Sequence, residues 1–248
     1  MKNAIFLLCT VAFSLFARAD EVLVAVAANF AAPMQKIASA FEQISGHRVI
    51  LSLGGTGKLY AQIVNGAPFE VFLSADQATT QRLEQEGFAV KGSQFTYAIG
   101  KLVLWSSDPK LVDVGGTILK RGDFQRLAVA NPKTAPYGAA AFSVLRQLDL
   151  LSQLQARLVQ GENIGQTYQF VATGAAQLGF VALSQVMSEG SLIAGSVWRV
   201  PENFYQPIRQ NALLLNKGKN HKAAQELLTY LKGVNAQAVM LGYGYATP

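Results

Sequence analysis

The chain has 248 residues, of which half are hydrophobic and only 15% are charged. This composition is typical of a compact α/β protein with a sizeable core, arranged as one large domain or two smaller ones, and argues against a disordered chain. The formal net charge of +6 is spread over scattered Lys and Arg residues without a basic run, so nucleic-acid binding is not expected.

Residues 1–19 predict a secretory signal peptide. Lys2 supplies a positive charge, residues 4–16 form an apolar run, and Ala17-Arg18-Ala19 matches an A-x-A cleavage site. The run is short for a bilayer span, and a retained membrane anchor is the alternative. Removal of Lys2 and Arg18 leaves 19 basic and 15 acidic residues, a net charge of +4, and Cys9 is lost with the peptide. We expect a mature chain without thiol chemistry or membrane insertion, located in the periplasm.

Strand and helix patterns alternate after residue 20. Residues 22–27 are almost continuously apolar, as in a strand covered on both faces, and Asn29 is a candidate N-cap for the helix that follows. The predicted strands of this part are 22–27, 49–53 and 69–73, and the predicted helices are 30–44, 58–65 and 75–86. Such alternation favours βαβ units in a doubly wound sheet.

Residues 95–105 are longer than a usual strand and contain Gly100, which predicts a segment that leaves a first lobe and enters a second. Residues 207–215 predict the return. The remaining predicted strands are 127–130, 158–160, 178–183 and 197–200, and the remaining predicted helices are 138–147, 165–174, 221–232 (capped by Asn220) and 236–241. We therefore assign residues 20–100 and 206–248 to lobe 1, and residues 101–205 to lobe 2.

Gly54-Gly55-Thr56-Gly57 joins a predicted strand to a predicted helix. The first N–H groups of a helix have no partner within it and lie at the positive end of its dipole, so this junction suits an anion. Asn29 stands at a second strand-to-helix junction, and the two together predict a clamp for a small oxyanion. A nucleotide-binding P-loop is disfavoured because Ser52 and Leu59 occupy positions that it needs for glycine and Ser/Thr. A plain tight turn remains the alternative.

Each candidate residue has a structural alternative. Asn29 could act only as a cap, and Thr56 could only start a helix, although both side chains also carry hydrogen-bond donors. Tyr137 could pack in the core, with its backbone N–H as the more useful group at a helix start. Ile164 could contribute only its backbone N–H.

Features of an enzyme are not apparent in the sequence. His47 and His221 lie at predicted surface turns without metal-ligand spacing, and no G-x-S-x-G elbow is present. We therefore expect no catalytic residue, no metal site and no cofactor.

Segments AVAANFAAPMQKIASAF (25–41), SLGGTGKLYAQIVNGAPFEVFLSAD (52–76), ANPKTAPYG (130–138) and GENIGQ (161–166) are similar to periplasmic molybdate-binding proteins, the soluble receptors of ABC importers. The likeness covers essentially the whole mature sequence. It implies a two-lobed type II periplasmic-binding-protein fold of α/β class, each lobe a doubly wound sheet flanked by helices. The two lobes would close on molybdate or tungstate, and a monomer would deliver the anion to a membrane permease.

The ligand positions of the family fall on Asn29, Thr56, Tyr137 and Ile164 in this sequence, the last two through backbone N–H groups. Ala28 and Ala182 stand where some members carry a further Thr or Tyr donor. A receptor for another tetrahedral oxyanion, such as sulfate, is the nearest alternative. A phosphate-handling enzyme and the effector domain of a regulator are more distant ones.

Overall fold

The computed structural model describes residues 20–248, so the predicted signal peptide lies outside the described residues. Within this part the chain forms strands and helices that alternate as expected for an α/β protein. In chain order the strands are β1 (Glu21–Ala27), β2 (Arg48–Gly54), β3 (Val71–Ser74), β4 (Phe95–Gly100), β5 (Leu102–Ser106), β6 (Leu127–Ala130), β7 (Leu158–Gly161), β8 (Leu178–Ala182), β9 (Met187–Ser188), β10 (Ser191–Leu192), β11 (Ser196–Arg199) and β12 (Ile208–Leu214).

The helices pack on the faces of the sheets formed by these strands. They are α1 (Ala31–Ser45), α2 (Thr56–Val64), α3 (Gln77–Gln85), α4 (Ile118–Arg121), α5 (Pro136–Gln147), α6 (Leu151–Leu154), α7 (Ile164–Ala172), α8 (Leu183–Val186), α9 (Lys222–Leu231) and α10 (Val234–Gly242). Across residues 20–248, none of them is both long and apolar enough to cross a membrane.

Two five-stranded sheets organise the chain. The first has the order β2-β1-β3-β12-β4, and the second has the order β11-β5-β8-β6-β7. In the first sheet β1 pairs in parallel with β2 and β3, whereas β12 runs antiparallel to β3 and β4. In the second sheet β6 pairs in parallel with β7 and β8, and β5 runs antiparallel to β8 and β11. We call the first sheet with its helices the first lobe, and the second sheet with its helices the second lobe.

The chain passes between the sheets where β4 gives way to β5. Lys101 separates these strands, and β4 pairs with β12 in the first sheet while β5 pairs with β8 in the second. The return takes place between β11 and β12, because β12 already lies in the first sheet. The predicted return segment 207–215 is therefore mostly a strand of the first lobe.

Each sheet is buried by the apolar faces of its helices. In the first lobe Phe30, Met34 and Ile37 pack with residues of β1 and α9 in one buried cluster. In the second lobe Val129 and Phe180 belong to a cluster that also contains Ala27 of the first lobe. The burial of apolar area that holds each lobe together thus continues across the junction between them.

Several boundaries differ from the sequence predictions. Asn29 is not the N-cap of α1: it lies in a 3₁₀ turn, Ala28–Phe30, and its side chain caps no helix. Asn220 is not a cap either, because His221 precedes α9. The hairpin β9–β10 was not predicted, since its strands of two residues each show no periodicity.

Candidate functional site

The four residues singled out in the sequence line one small cavity between the lobes. Asn29 and Thr56 come from the first lobe, and Tyr137 and Ile164 come from the second. The cavity is small, with a volume of about 10 Å³ open to the centre of a water-sized sphere. Its other lining residues are Ala27, Ala28, Gly54, Gly55, Ala75, Ala135, Pro136 and Asn163. The topology thus brings together residues that are up to 135 positions apart in the sequence, from Asn29 to Ile164.

Helices of both lobes begin at this cavity. Thr56 is the first residue of α2, Tyr137 is the second residue of α5, and Ile164 is the first residue of α7. Backbone N–H groups in the first turn of a helix have no acceptor within it, and the helix dipole makes that end positive. Three converging helix starts therefore present backbone donors to the cavity.

The Thr56 side chain is held in place by a backbone group. Its Oγ1 accepts a hydrogen bond of 3.2 Å from the N–H of Ala75, which follows β3. Thr56 is buried, with 3% of its surface exposed. Because the oxygen accepts from Ala75, the hydroxyl hydrogen remains able to donate to a guest in the cavity.

The Asn29 amide is not oriented as the predicted donor role requires. Its Nδ2 donates to Oε1 of Gln210 at 2.7 Å and to the hydroxyl oxygen of Tyr245 at 2.9 Å. Both hydrogens of the amide are thereby used on the side away from the cavity. Oδ1 of Asn29 is buried and has no hydrogen-bond partner in the described structure.

The start of α7 depends on two residues that the sequence did not single out. Asn163 is the N-cap, and its Oδ1 accepts from the N–H of Gln166 at 3.1 Å. Gln185 donates through Nε2 to the carbonyl oxygen of Ile164 at 3.0 Å and accepts from the N–H of Ala182 at 3.0 Å. The sequence signal was available only for Asn163, which stands before a helical pattern as N-caps commonly do.

Ala28 and Ala182, which stand where some members of the family carry a further donor, lie in different places in the structure. Ala28 lines the cavity, so a side-chain donor there would face it. Ala182 is fully buried within β8 and is not among the cavity-lining residues. Only the loss at Ala28 thus removes a donor from the wall of this cavity.

Gly55 and Gly57, which flank the first residue of α2, allow the lobes to approach. A Cβ on Gly55 would lie 3.0 Å from Cβ of Asn163, and a Cβ on Gly57 would lie 3.1 Å from Cβ of Thr134. Asn163 and Thr134 both belong to the second lobe. The glycines are needed here for close contact between backbones of the two lobes, because neither has a positive φ.

A buried polar network lies behind the cavity and joins the lobes. Gln210 of β12 accepts from Tyr97 at 3.0 Å and donates through Nε2 to the Tyr137 hydroxyl at 3.1 Å. Tyr245 donates to the carbonyl oxygen of Asn29 at 2.9 Å, and so does Ser184 at 2.8 Å. Burial raises the pKa of Tyr245 to about 12 and holds the pKa values of Tyr97 and Tyr137 well above their ordinary range. These hydroxyls stay protonated and act as neutral hydrogen-bonding groups.

Charged side chains do not line the cavity in the described part of the chain. His47 and His221 lie elsewhere, with Nε2 of His47 3.2 Å from Glu226 and Nδ1 of His221 2.6 Å from Glu70. Within residues 20–248 no three His, Cys, Asp or Glu side chains are grouped so that they could hold a metal ion. The cavity wall instead consists of small apolar residues with a few neutral polar groups, among them the Thr56 hydroxyl and the backbone N–H groups of three helix starts, which match a guest that only accepts hydrogen bonds.

Comparison with known proteins shows the class to which this chain belongs. A family model described as bacterial extracellular solute-binding protein matches residues 22–246. The chain belongs to this family, and its two-lobed fold is that of the type II periplasmic binding proteins. The fold class predicted from the sequence is thereby confirmed. Proteins of this family bind solutes for transport and are not enzymes.

The individual relatives of this chain carry descriptions that name the bound solute. The molybdate-binding protein ModA of Azotobacter vinelandii is 59% identical over 229 residues, which cover 92% of this chain and 91% of the relative. ModA of Rhodobacter capsulatus is 48% identical over 231 residues, covering 93% and 90%. The solved structure of the Azotobacter vinelandii periplasmic molybdate-binding protein superposes with a TM-score of 0.89 at 43% identity, covering 92% of this chain and 99% of that one. The resemblance noted in the sequence is confirmed.

Proposed function

We propose that this protein captures molybdate, and also tungstate, in the cavity between its lobes and delivers the anion to the membrane permease of an ABC importer. It acts in the periplasm as a monomer, and the anion is its cargo rather than a cofactor. The observation that carries this proposal is the convergence of three helix starts and the Thr56 hydroxyl on one small cavity without charged side chains. The identity to molybdate-binding relatives over nine-tenths of the chain supports the choice of anion.

The donors in this proposal are Asn29, Thr56, Tyr137 and Ile164. Thr56 supplies its hydroxyl and its backbone N–H, and Tyr137 and Ile164 supply backbone N–H groups. A hydrogen bond to a charged group contributes about 1.5–3 kcal/mol, so five or six such bonds support tight binding after desolvation and closure costs.

The lining residues include no carboxylate, and this sets the selectivity against phosphate. Phosphate retains a proton near neutral pH and requires an acceptor such as a carboxylate, which the lining residues do not include. Sulfate carries the same charge as molybdate but has shorter bonds. Donors fixed at helix starts around a larger anion leave some of their hydrogens unpaired when sulfate binds, which lowers its affinity.

Lobe closure couples capture to delivery. The cavity takes donors from both lobes, so an anion gains its full set of hydrogen bonds only when the lobes meet. The anion therefore shifts the population toward the closed form, which the permease recognises. The lobes in this proposal are residues 20–100 with 206–248, and residues 101–205.

Calorimetric titration of the mature protein with molybdate, tungstate, sulfate and phosphate tests the proposal. We expect saturable binding of molybdate and tungstate with one site per chain, and affinities for sulfate and phosphate at least about a hundredfold weaker, a difference of about 2.7 kcal/mol. Tighter binding of sulfate than of molybdate would make the protein a receptor for the alternative oxyanion. Failure of all four anions to bind would reject the oxyanion proposal.

A further inference from the structure

The polar network behind the cavity contains an unsatisfied acceptor. Asn29 is 2% exposed and lines the cavity, and its Nδ2 is turned toward Gln210 and Tyr245. The end of the amide left for the cavity is therefore Oδ1, which has no partner among the described residues. A buried polar atom without a partner costs about 1–3 kcal/mol, and an oxygen facing an oxyanion adds repulsion to that cost.

The same atomic positions accommodate a second arrangement of hydrogen bonds. If the amides of Asn29 and Gln210 both turn by half a rotation, Oδ1 of Asn29 accepts from Nε2 of Gln210 across the present 2.7 Å and from the Tyr245 hydroxyl across the present 2.9 Å. Oε1 of Gln210 then accepts from the Tyr137 hydroxyl across 3.1 Å, and Nε2 donates its second hydrogen to Tyr97 across 3.0 Å. The contacts of Gln210 each keep one donor and one acceptor because tyrosine hydroxyls serve as either. The Tyr245 hydroxyl turns its single hydrogen from the carbonyl oxygen of Asn29 to Oδ1, which costs one hydrogen bond, while Ser184 still donates to that carbonyl at 2.8 Å.

The second arrangement changes which atom of the Asn29 amide faces the cavity. Nδ2 of Asn29 takes the place of Oδ1, so a pair of N–H donors faces the guest instead of an unpaired oxygen. We propose that Gln210 is a positioning residue for anion binding, and that in the molybdate-loaded protein the amides of Asn29 and Gln210 are inverted together. This inference rests on the proposed function.

Gln210 links this inversion to lobe closure. It is fully buried on β12 of the first lobe, and its two amide atoms contact Asn29 of the first lobe and Tyr137 of the second. The inverted amide needs the Tyr137 hydroxyl as a donor to Oε1 of Gln210. Tyr137 already contacts Gln210 at 3.1 Å in the present arrangement, so contact between the lobes permits the inversion, and the bound anion, which only accepts hydrogen bonds, selects it.

Neutron diffraction of deuterium-exchanged crystals grown with molybdate gives the direct test, because it locates the deuterons that distinguish amide nitrogen from oxygen. We expect the Asn29 deuterons to point at the anion and the Gln210 deuterons to point at Asn29 and Tyr97. Asn29 deuterons directed at Gln210 and Tyr245 in the loaded crystal would overturn the inference while leaving molybdate binding itself intact.

Two variants test the role of the network in solution. Gln210→Met keeps the length of the side chain without its hydrogen bonds, and Tyr137→Phe keeps the backbone donor of Tyr137 while removing its hydroxyl. Each should weaken molybdate binding at least about tenfold, because the Asn29 amide loses what holds it inverted. The outcome that contradicts the inference is unchanged affinity in Gln210→Met.

Asn211 supplies a matched control. It is the next residue of β12, is 1% exposed, and accepts from the Thr96 hydroxyl at 2.9 Å without contacting the network. Asn211→Leu should retain affinity within about twofold even if its thermal stability falls, which separates loss of a buried side-chain hydrogen bond from loss of the Asn29 donor. Should Gln210→Met fail to fold, the neutron experiment on the unmodified protein still shows whether the two amides are inverted in the loaded state. Absence of molybdate binding by the unmodified protein would reject the proposed function and this inference with it.

Discussion

The backbone N–H of Gly57 donates a hydrogen bond of 3.1 Å to the carbonyl oxygen of Thr134, which joins the start of α2 in the first lobe to the loop before α5 in the second. A Cβ on Gly57 would lie 3.1 Å from Cβ and 3.2 Å from the carbonyl oxygen of Thr134. Thr56, the neighbour of Gly57, lines the cavity. The lobes thus meet one residue away from the site, at a place where the first lobe has no side chain.

Gly57→Ala should therefore weaken molybdate binding at least about tenfold, because the added methyl group holds the lobes apart and withdraws donors of the second lobe. Alanine is favoured over glycine within a helix by about 1 kcal/mol, so the thermal stability of the ligand-free variant should not fall. Calorimetry and thermal unfolding measure the two effects separately. Gly115→Ala is the control, since a Cβ there meets nothing closer than 3.4 Å. Full affinity in Gly57→Ala would show that closure tolerates the methyl group.

Thr56 offers a test of the hydroxyl donor. Thr56→Val preserves the shape of the side chain but removes the hydroxyl, and we expect at least about a tenfold loss of molybdate affinity, or about 1.4 kcal/mol. Thr56→Ser retains the hydroxyl and should remain within a few-fold of the unmodified protein. Because Thr56→Val also leaves the N–H of Ala75 without its acceptor, thermal unfolding should accompany the titration. Equal affinities of the Val and Ser variants would remove the hydroxyl from the site.

The sequence predicted the strand-to-helix junctions because their signals are local. Continuous apolar runs marked β1 and β3, and glycines marked the loop before α2, so residues near Thr56 could be placed without knowing the rest of the chain. Ile164 was assigned from the resemblance to the family's ligand positions, and the structure places it at the first residue of α7. Whether these residues bind the anion stays a prediction that the titrations decide.

The network behind the cavity could not be predicted in this way. Gln210 lies between Arg209 and Asn211 in β12 and carries no local signal that singles it out. Its partners Asn29, Tyr97 and Tyr137 are separated from it by up to 181 positions in the sequence. The orientation of the Asn29 amide depends on Gln210 and Tyr245. The contact between Gly57 and Thr134 likewise joins residues that are distant in the sequence. Such relationships arise from how the lobes pack, which no local pattern records.

Asp113 gives a stability prediction that is independent of the site. Its carboxylate accepts from the backbone N–H groups of Gly115, Thr117 and Ile118 and from the Thr117 hydroxyl, at 2.9–3.1 Å. The hydrogen bond from the Thr117 backbone is the main cause that lowers the pKa of Asp113 from 3.8 to about 2. A carboxyl with a lowered pKa stabilises the fold above its ordinary pKa, and this contribution is lost as the pH falls through the folded value.

Asp113→Asn should therefore lower the midpoint of urea unfolding near neutral pH, and the difference from the unmodified protein should narrow between about pH 4 and pH 2. Molybdate affinity at neutral pH should be unchanged, because Asp113 is not among the residues lining the cavity. A difference that stays constant down to about pH 2 would show that the ionised carboxylate is not the stabilising form.

The titratable groups of the cavity wall predict how binding responds to pH. Among the lining residues only Tyr137 can titrate, and burial holds the pKa of its hydroxyl well above the ordinary value of 10. Since no lining group changes protonation between about pH 6 and pH 9, molybdate affinity should vary by less than about twofold over that range. Titrations in two buffers of different ionisation enthalpy should give equal binding enthalpies, because no proton is taken up or released. A receptor that holds its anion with histidine or a protonated carboxyl would instead lose affinity as the pH rises and would take up protons on binding. A steady fall in affinity with pH would therefore contradict a site made of neutral donors, whatever its affinity at pH 7.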